Sequence, residues 1–207
     1  MSHEIRRNNI GLPIEQGLYD PANEHDACGF GFIANIHNEP KHEIVHQALE
    51  IVHNLDHRGA IGADPLAGDG AGILIQIPDG FMRKVFSERG ITLPPVGDYA
   101  VGMVFLPNDP TKCDLAAEAI ETSISREGQI LIGWRDVPVD NRVLGESVKE
   151  AEPIIRQVLI QRGPETPDSE AFQRKLYVIR KQAHHALWDK NATAWRDFYV
   201  VSMSTHT

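Results

Sequence analysis

Two strand-like runs lie close together in this sequence, at 129–139 and 152–161, with only residues 140–151 between them. Both runs are rich in branched apolar residues, which favour strands. A chain in which every strand is followed by a helix would not place two strands in succession, so a purely parallel α/β fold is disfavoured. We expect an α+β fold, in which helices cover sheets that contain antiparallel pairs.

Further elements of both kinds are predicted from residue 28 onward. Short apolar runs predict strands at 28–36, 72–77, 99–106 and 197–205. Apolar residues at a helical period predict helices at 41–57, 80–88, 109–128 and 169–189. The boundary signals are clear for the third helix, where Asp109 precedes Pro110 and Gly128 follows the last turn.

Residues 1–27 differ from everything that follows them. They are polar, contain Pro13 and Pro21, and lack a helical or strand period. They also lack the apolar core of a secretory signal. We therefore expect a leader over 1–27 and a single domain over 28–207.

The bulk composition bounds the classes of function. With 207 residues, 42% of them hydrophobic and 24% charged, the chain suits a globular protein. Its net charge of −9 disfavours binding to phosphates, so we expect no nucleic-acid partner and no membrane partner. No apolar run approaches the roughly 18 residues of a spanning helix. Two cysteines give no disulfide framework, which is typical of a reduced, cytoplasmic protein.

Cys28 stands at the head of a predicted strand, directly after the leader. One interpretation is a buried structural thiol, because free cysteine is among the most buried residue types. The other is a nucleophile, since Gly29 and Gly31 would let a substrate approach without a Cβ clash. Removal of the leader would also expose the α-amino group of Cys28, with a pKa of about 8, as a base for the thiol. Caspase-like and papain-like sites are disfavoured, because the upstream histidine of the first and the C-G-x-C-W context of the second are missing.

Four histidines share one narrow stripe of the predicted helix 41–57, namely His42, His46, His53 and His57. Pairs of histidines at i and i+4 can hold zinc, so a zinc-binding domain is one hypothesis. The first pair reads H-E-I-V-H, but no third ligand stands at a recognisable spacing. This favours a solvated border of an amphipathic helix, and we expect no metal. His184 and His185 form a weaker signal of the same kind.

The stretch 59–72 is rich in glycine and must form a loop. It lacks the G-K-[ST] end of a phosphate-binding loop. Its carboxylates, Asp64 and Asp69, do not fit the spacing of a calcium loop. Two interpretations stay open, a tight structural loop and a loop packed against an active-site cysteine.

Three segments together resemble a known family. They are E-H-D-A-C-G-F-G-F-I-A-N-I (24–36), the stretch L-D-H-R-G-A-I-G-A-D-P-L-A-G-D-G-A-G (55–72), and D-F-Y-V-V-S-M-S (197–204). They resemble the amino-terminal glutaminase domain of glutamate synthase large chains, a class II glutamine amidotransferase of the N-terminal-nucleophile superfamily. The likeness covers essentially the whole chain.

The resemblance implies an activity and roles for individual residues. Cys28 would be the catalytic nucleophile, freed by loss of the leader, and would hydrolyse glutamine to glutamate and ammonia through a thioester. Arg58 and Gly59, in the H-R-G element, would support it from nearby, and Gly29 and Gly31 would line the approach of the substrate. The implied fold is a four-layer αββα sandwich.

The resemblance also has a gap. The family's glutamine-clamping H-S-R-F stretch and its oxyanion-binding H-N-G stretch are absent from these 207 residues. We therefore expect a sandwich that is incomplete at its C-terminal end and holds half an active site. A non-catalytic remnant that acts only as a binding module is the alternative function.

Cofactors and partners follow from the same resemblance. No cofactor is expected in this chain, whereas FMN and an iron–sulfur cluster are implied for the full-length enzyme. Besides glutamine, the implied partners are the remaining domains of the large chain and a small subunit.

Overall fold

A computed structural model of the protein describes residues 16–17, 29–55 and 70–207. The described residues fall into two compact units, one with 16–17, 29–55 and 70–72, and one with 73–207. Among them, no helix combines the length and the apolar character that crossing a membrane would require.

The first unit contains one described helix, α1 (His42–Asn54). The helices of the second unit are α2 (Asp79–Ser87), α3 (Pro110–Arg126), α4 (Glu146–Lys149) and α5 (Ser169–Asn191), followed by a 3₁₀ turn at Ala192–Trp195. Its strands are β1 (Tyr99–Leu106), β2 (Ile130–Asp136), β3 (Ile154–Gln161) and β4 (Tyr199–Ser204).

The four strands form one antiparallel sheet in the order β2-β3-β1-β4. The predicted successive strands, β2 and β3, pair directly, so the antiparallel prediction is confirmed. Two helices connect strands that are not neighbours, α3 between β1 and β2 and α5 between β3 and β4. This β-α-β-β-α-β arrangement is the split, ferredoxin-like motif. The α+β class is therefore confirmed. The described layers are one antiparallel sheet and the helices that pack on it.

One face of the sheet packs against α3 and α5. Alternate residues of β1 point to this side, including Ala100, Val104 and Leu106, and all three are fully buried. Ile120 of α3 and Leu176 of α5 meet them in the same cluster. Burial of each large aliphatic side chain contributes about 1.5–3 kcal/mol, so this layer carries much of the unit's stability.

The opposite face of the sheet is covered at one end by α2. Tyr99 and Val101 of β1 are buried there against Met82 and Phe86 of α2. Strand β1 is therefore buried on both faces, which explains why it reads as an unbroken apolar run in the sequence.

Local signals set the ends of the long helices. The side chain of Asp109 accepts a hydrogen bond from the Lys112 N–H at 2.9 Å, and Pro110 occupies the first helical position of α3. Asp168 caps α5 in the same way, through the Ala171 N–H at 2.7 Å. These caps place α3 and α5 within two residues of the predicted bounds.

Two predicted strands are wrong over their described residues. Neither 29–36 nor 70–78 has strand structure. Both segments are apolar, but a strand also requires a hydrogen-bonded neighbour, and no described strand pairs with either segment. The second segment makes one such contact, from the Ile77 N–H to the His206 carbonyl at 2.8 Å.

A buried polar joint connects the start of β2 to the chain that leaves β3. The amide nitrogen of Gln129 donates to the Thr166 hydroxyl at 2.9 Å, and its amide oxygen accepts from the Gly163 N–H at 2.9 Å. Gly128, at a φ of 69°, brings its carbonyl so close that a Cβ atom on Gly163 would overlap it. Backbone packs directly on backbone at this joint, so only glycine fits at position 163.

We expect Gly163→Ala to destabilise the protein by at least about 2 kcal/mol, because the new methyl group can avoid the Gly128 carbonyl only if the backbone moves. Urea unfolding followed by circular dichroism measures the change. Gly80→Ala in α2 is the matched control, because a Cβ atom there meets nothing within 4 Å. It should leave the free energy of unfolding unchanged or raise it by about 0.5–1 kcal/mol. Equal losses in the two variants would contradict the close-contact explanation.

Glu127 links the end of α3 to α5. Its two carboxylate oxygens accept hydrogen bonds from Lys175 and from Gln182, each at 2.6 Å. The hydrogen bond from Lys175 is the main reason that the pKa of Glu127 lies below its ordinary value, in spite of the opposing effect of burial. A carboxyl group whose pKa is lower in the folded state stabilises the fold above its unfolded pKa and loses that contribution as the pH falls.

We expect Glu127→Gln to cost about 1 kcal/mol at pH 7, and the difference from the parent to shrink as the pH falls below about 4. Chemical unfolding across this pH range measures both quantities. Glu170→Gln provides the control, since Glu170 is 88% exposed and its ion pair with Arg174 spans 3.9 Å. Such an exposed pair contributes little. A Glu127→Gln deficit that stays constant down to pH 3 would rule out the carboxylate as its source.

Candidate active site

Only some of the residues predicted for the site belong to the part of the chain that the structure describes. Gly29 and Gly31 belong to the described part, where both are exposed. Cys28, Arg58 and Gly59 lie outside the described residues, as does most of the glycine-rich stretch 59–72. The roles assigned to these five residues stay predictions. The described geometry nearest to Cys28 is that of the segment 29–41, between Cys28 and α1.

The segment between Cys28 and α1 contains a tight turn at residues 35–39. The side-chain oxygen of Asn35 accepts hydrogen bonds from the N–H groups of His37 at 2.8 Å and Glu39 at 3.3 Å. Asn38 adopts the left-handed conformation, at a φ of 54°, which asparagine tolerates better than most residues. The turn determines where the segment 29–35 runs relative to the start of α1.

Gly31 lies directly against α1. A Cβ atom at this position would be 2.6 Å from Cγ2 of Ile51, well inside van der Waals contact. Glycine is therefore required here for close packing of the segment on the helix. This requirement is independent of the substrate access that the sequence interpretation assigned to Gly31.

The aromatic side chains of the same segment point away from this contact. Phe30 is 90% exposed and Phe32 is 87% exposed. Such large apolar side chains, exposed close together, are unusual on the surface of a folded unit and are typical of regions that contact another surface. The open apolar surface begins only two residues after Cys28.

The histidine stripe can be followed along α1 for three of its four members. The rings of His42 and His46 meet edge to face with centroids 4.6 Å apart, and His53 is exposed. His57 lies outside the described residues. The letters of 42–46 also match the H-E-x-x-H zinc motif. No group of three potential ligands gathers anywhere in the described ranges, so the motif lacks a third protein ligand there.

Cys113, the second cysteine, has the environment of a structural residue. It lies in α3 and is 5% exposed, as part of the core cluster between that helix and the sheet. Burial raises the pKa of its thiol. A nucleophilic cysteine needs access and a stabilised thiolate, so Cys113 is unsuited to the role and Cys28 is the remaining candidate.

The sequence interpretation missed one polar network of the second unit. Asp79 accepts hydrogen bonds from Arg83 and from the Tyr99 hydroxyl, each at 2.8 Å, and Arg83 also donates to the carbonyls of Leu93 and Pro94. Burial would raise the pKa of Asp79, but the hydrogen bonds from Arg83 and Tyr99 outweigh it and lower the pKa. The i, i+4 spacing of Asp79 and Arg83 could have indicated the pair. With every charge paired, the network joins α2 to β1 rather than forming a catalytic group.

Comparison with known proteins gives a consistent family. Residues 28–207 match the class II glutamine amidotransferases. The large chain of the NADPH-dependent glutamate synthase of Bacillus subtilis is 44% identical over 196 residues, which are 95% of this chain and 12% of that protein. The NADH-dependent glutamate synthase of Schizosaccharomyces pombe is 39% identical over 95% of this chain and 9% of its own length.

A third relative has a different electron donor in its name. The ferredoxin-dependent glutamate synthase 2 of Synechocystis is 38% identical over 184 residues, which are 89% of this chain and 11% of that protein. The chain thus spans about a tenth of the length of the curated relatives that it matches.

We expect Gly31→Ala to destabilise α1 and the segment beside it by about 1–2 kcal/mol, because the added methyl group meets the branched Cβ substituent of Ile51. In an Ile51→Ala background the same change should cost almost nothing, since Cγ2 is gone. Urea unfolding of the two single variants and the double variant gives the coupling energy. Gly72→Ala, where a Cβ atom meets nothing within 4 Å, is the control. Strictly additive effects would exclude the contact.

Proposed function

The chain belongs to the class II glutamine amidotransferases, and on that premise we propose that it forms the glutaminase part of a glutamate synthase large chain. It would hydrolyse glutamine to glutamate and ammonia for glutamate biosynthesis. The observation that carries the proposal is the family match over 28–207, which begins at the candidate nucleophile itself. The burial of Cys113 supports it, because no other thiol remains for the reaction.

Cys28 acts as the nucleophile in the proposed reaction. Its thiol loses a proton to its own α-amino group and attacks the side-chain amide carbon of glutamine. The protonated amine then gives the proton to the leaving nitrogen, so that ammonia departs and a γ-glutamyl thioester remains. Water, deprotonated by the same amine, cleaves the thioester and releases glutamate and the free thiol.

This mechanism requires a free amine on Cys28, so residues 1–27 form a leader that must be removed. Arg58 and Gly59 support the site through the H-R-G element. Gly29 and Gly31 are both exposed, which leaves the backbone beside Cys28 open to a substrate. The clamp for the glutamine carboxylate and the oxyanion-binding donors come from the rest of the longer protein. Loss of one such donor typically lowers a rate by about 10²–10³.

The proposed fold is the four-layer αββα sandwich. The antiparallel sheet with α3 and α5 on one face supplies one sheet and one helix layer of it. The second sheet of this proposal is not formed by the apolar segments 29–36 and 70–77, which have no strand structure. Their exposed side chains, such as Phe32 and Leu74, are the kind of surface that a sheet face would bury.

The iron–sulfur cluster of a glutamate synthase does not fit the cysteines of this chain. Iron–sulfur clusters are held by sets of cysteine thiolates, commonly four. This sequence has two cysteines, one of them buried in the core. We therefore assign the iron–sulfur cluster to another part of the large chain, and we propose that FMN is also bound elsewhere in the complete enzyme. The small subunit is likewise a proposed partner of the complete enzyme.

A non-catalytic remnant is the alternative function. The three relatives described above are all named as glutamate synthases, and the match includes Cys28 together with the H-R-G element. Both features favour the glutaminase.

In the complete enzyme, Cys28→Ala should lower glutamine hydrolysis by at least about three orders of magnitude, because it removes the thiol that forms the thioester and the other thiol of this chain, Cys113, is buried. Glutamate synthesis from added ammonia should persist. The two activities are measured separately, as ammonia release and as ammonia-dependent oxidation of the electron donor. Cys113→Ala is the matched control, and it should keep glutaminase activity while losing about 1 kcal/mol of stability.

Residual glutaminase activity in Cys28→Ala would overturn the assignment of the nucleophile. Mass spectrometry of the parent enzyme tests the amine separately, since the active protein should begin at Cys28. An active enzyme that retains residues 1–27 would exclude the free amine as the base. It would not decide whether the Cys28 thiol is the nucleophile, which Cys28→Ala tests.

A further inference from the structure

A small pocket lies between the C-terminal half of α5 and the start of β4, within the second unit. Its volume is about 150 Å³, large enough for an ion of five heavy atoms. The residues that line it are Arg180, Lys181, His184, Phe198, Tyr199 and Val200. None of them belongs to the proposed glutaminase site.

The lining of this pocket is cationic, although the whole chain has a net charge of −9. Arg180 and Lys181 contribute two permanent charges, and no carboxylate is among the lining residues. Neither cation forms an ion pair with any described residue. The Lys181 ammonium lies 5.9 Å from the ring centre of Tyr177, a cation–π contact that leaves its hydrogen-bond donors available. Two unneutralised cations beside one small pocket are an arrangement that favours an anion.

The imidazole in the lining has an unusual environment. The ring of His184 stacks on Trp188, with centroids 4.8 Å apart and planes 16° from parallel. Nδ1 of His184 and Nε1 of Trp188 are both buried, and neither has a hydrogen-bond partner among the described residues. A buried polar nitrogen without a partner costs free energy, and such groups are rare in folded proteins. Of these two residues only His184 lines the pocket, so the site places one imidazole with an unsatisfied nitrogen beside the unpaired charges of Arg180 and Lys181.

The protonation of His184 follows from its surroundings. Burial is the main cause that lowers its pKa, and the positive charges of His185, Lys181 and Arg180 act in the same direction. Asp189 opposes them and is outweighed. At neutral pH the imidazole is uncharged and can donate one N–H, so the attraction for an anion comes from Arg180 and Lys181. The negative end of the helix dipole is two turns beyond His184 and acts mainly on the last turn.

We propose that this pocket binds a compact oxyanion, either phosphate or the carboxylate of a small metabolite, between Arg180, Lys181 and His184. The guanidinium of Arg180 presents paired N–H groups that match the oxygens of either ion. Lys181 adds a second charge, and the neutral imidazole adds a hydrogen-bond donor. Tyr199 and Val200 of β4 close the strand side of the pocket. The site is independent of Cys28, so it stands or falls separately from the glutaminase.

Calorimetric titration of the full 207-residue chain with inorganic phosphate in low-salt buffer tests the proposal. Glutamate is titrated in a second arm, and sodium chloride at matched ionic strength in a third. Saturable binding of phosphate identifies a phosphate-type ligand, and saturable binding of glutamate at the same site identifies a carboxylate. Either result supports the shared chemistry, whereas heats no larger than those of chloride would overturn it.

Variants separate a built site from general attraction to positive charge. Arg180→Gln should weaken binding by at least about tenfold, because it removes a charge-assisted hydrogen bond. Arg174→Gln removes the same charge from the same helix outside this pocket, and it should change the dissociation constant less than about twofold. Equal weakening by both variants would mean that net charge alone attracts the ion.

A second variant and a spectroscopic signal keep the test decisive if Arg180→Gln folds poorly. Lys181→Gln, at an exposed residue, should also weaken binding, and circular dichroism verifies that each variant is folded. In the parent chain, phosphate should shift the imidazole proton signals that are missing from His184→Gln. Binding of phosphate without a shift in those signals would place the ion elsewhere and refute this pocket.

Discussion

The second unit depends on the burial of β1 on both of its faces. This strand pairs with β3 on one side and β4 on the other, so it also forms the hydrogen-bonded centre of the sheet. Its two sets of alternate side chains contact different layers, Val104 towards α3 and α5, and Val101 towards α2. At Gly102 a Cβ atom would be 2.7 Å from Cγ1 of Val158, so even the spacing between neighbouring strands depends on this strand. Strands β3 and β4 pair with it directly, and β2 is positioned through β3.

The parts of the fold that the sequence predicts are those determined by neighbours in the chain. Strand β1 occupies its predicted residues, and the caps at Asp109 and Asp168 place α3 and α5 nearly as expected. The predicted strands at 28–36 and 72–77 fail because apolar content does not supply a pairing partner. The short helix α4 and the 3₁₀ turn at Ala192–Trp195 were missed, since four residues are too few to show a period.

For the candidate site as well, the sequence indicates which residues are involved but not how they contact one another. The resemblance identifies Cys28, Arg58 and Gly59, but their positions relative to one another depend on a loop outside the described residues. The sequence did indicate that another group approaches Gly31 too closely for a side chain at that position. It could not indicate that the approaching group is Ile51, because that contact joins residues 20 positions apart and exists only after α1 has packed. The pocket beside α5 could not be predicted for the same reason. Arg180 of α5 and Val200 of β4 come together only when the helix packs against the sheet.

The two units are unequal in how far their own contacts can stabilise them. The second unit contains many fully buried apolar side chains, among them Phe172 and Ile179. In the first unit α1 has no buried residue, and its apolar face is only half covered. Since hydrophobic stabilisation scales with the apolar area removed from water, the segment that leads from Cys28 gains little from its own described contacts. Phe30 and Phe32 are exposed, so protein surface that covered them would stabilise this segment. This is a physical argument for the proposal that the clamp and the oxyanion-binding donors come from the rest of a longer protein, since protein surface that covered these rings would also stabilise the chain next to Cys28.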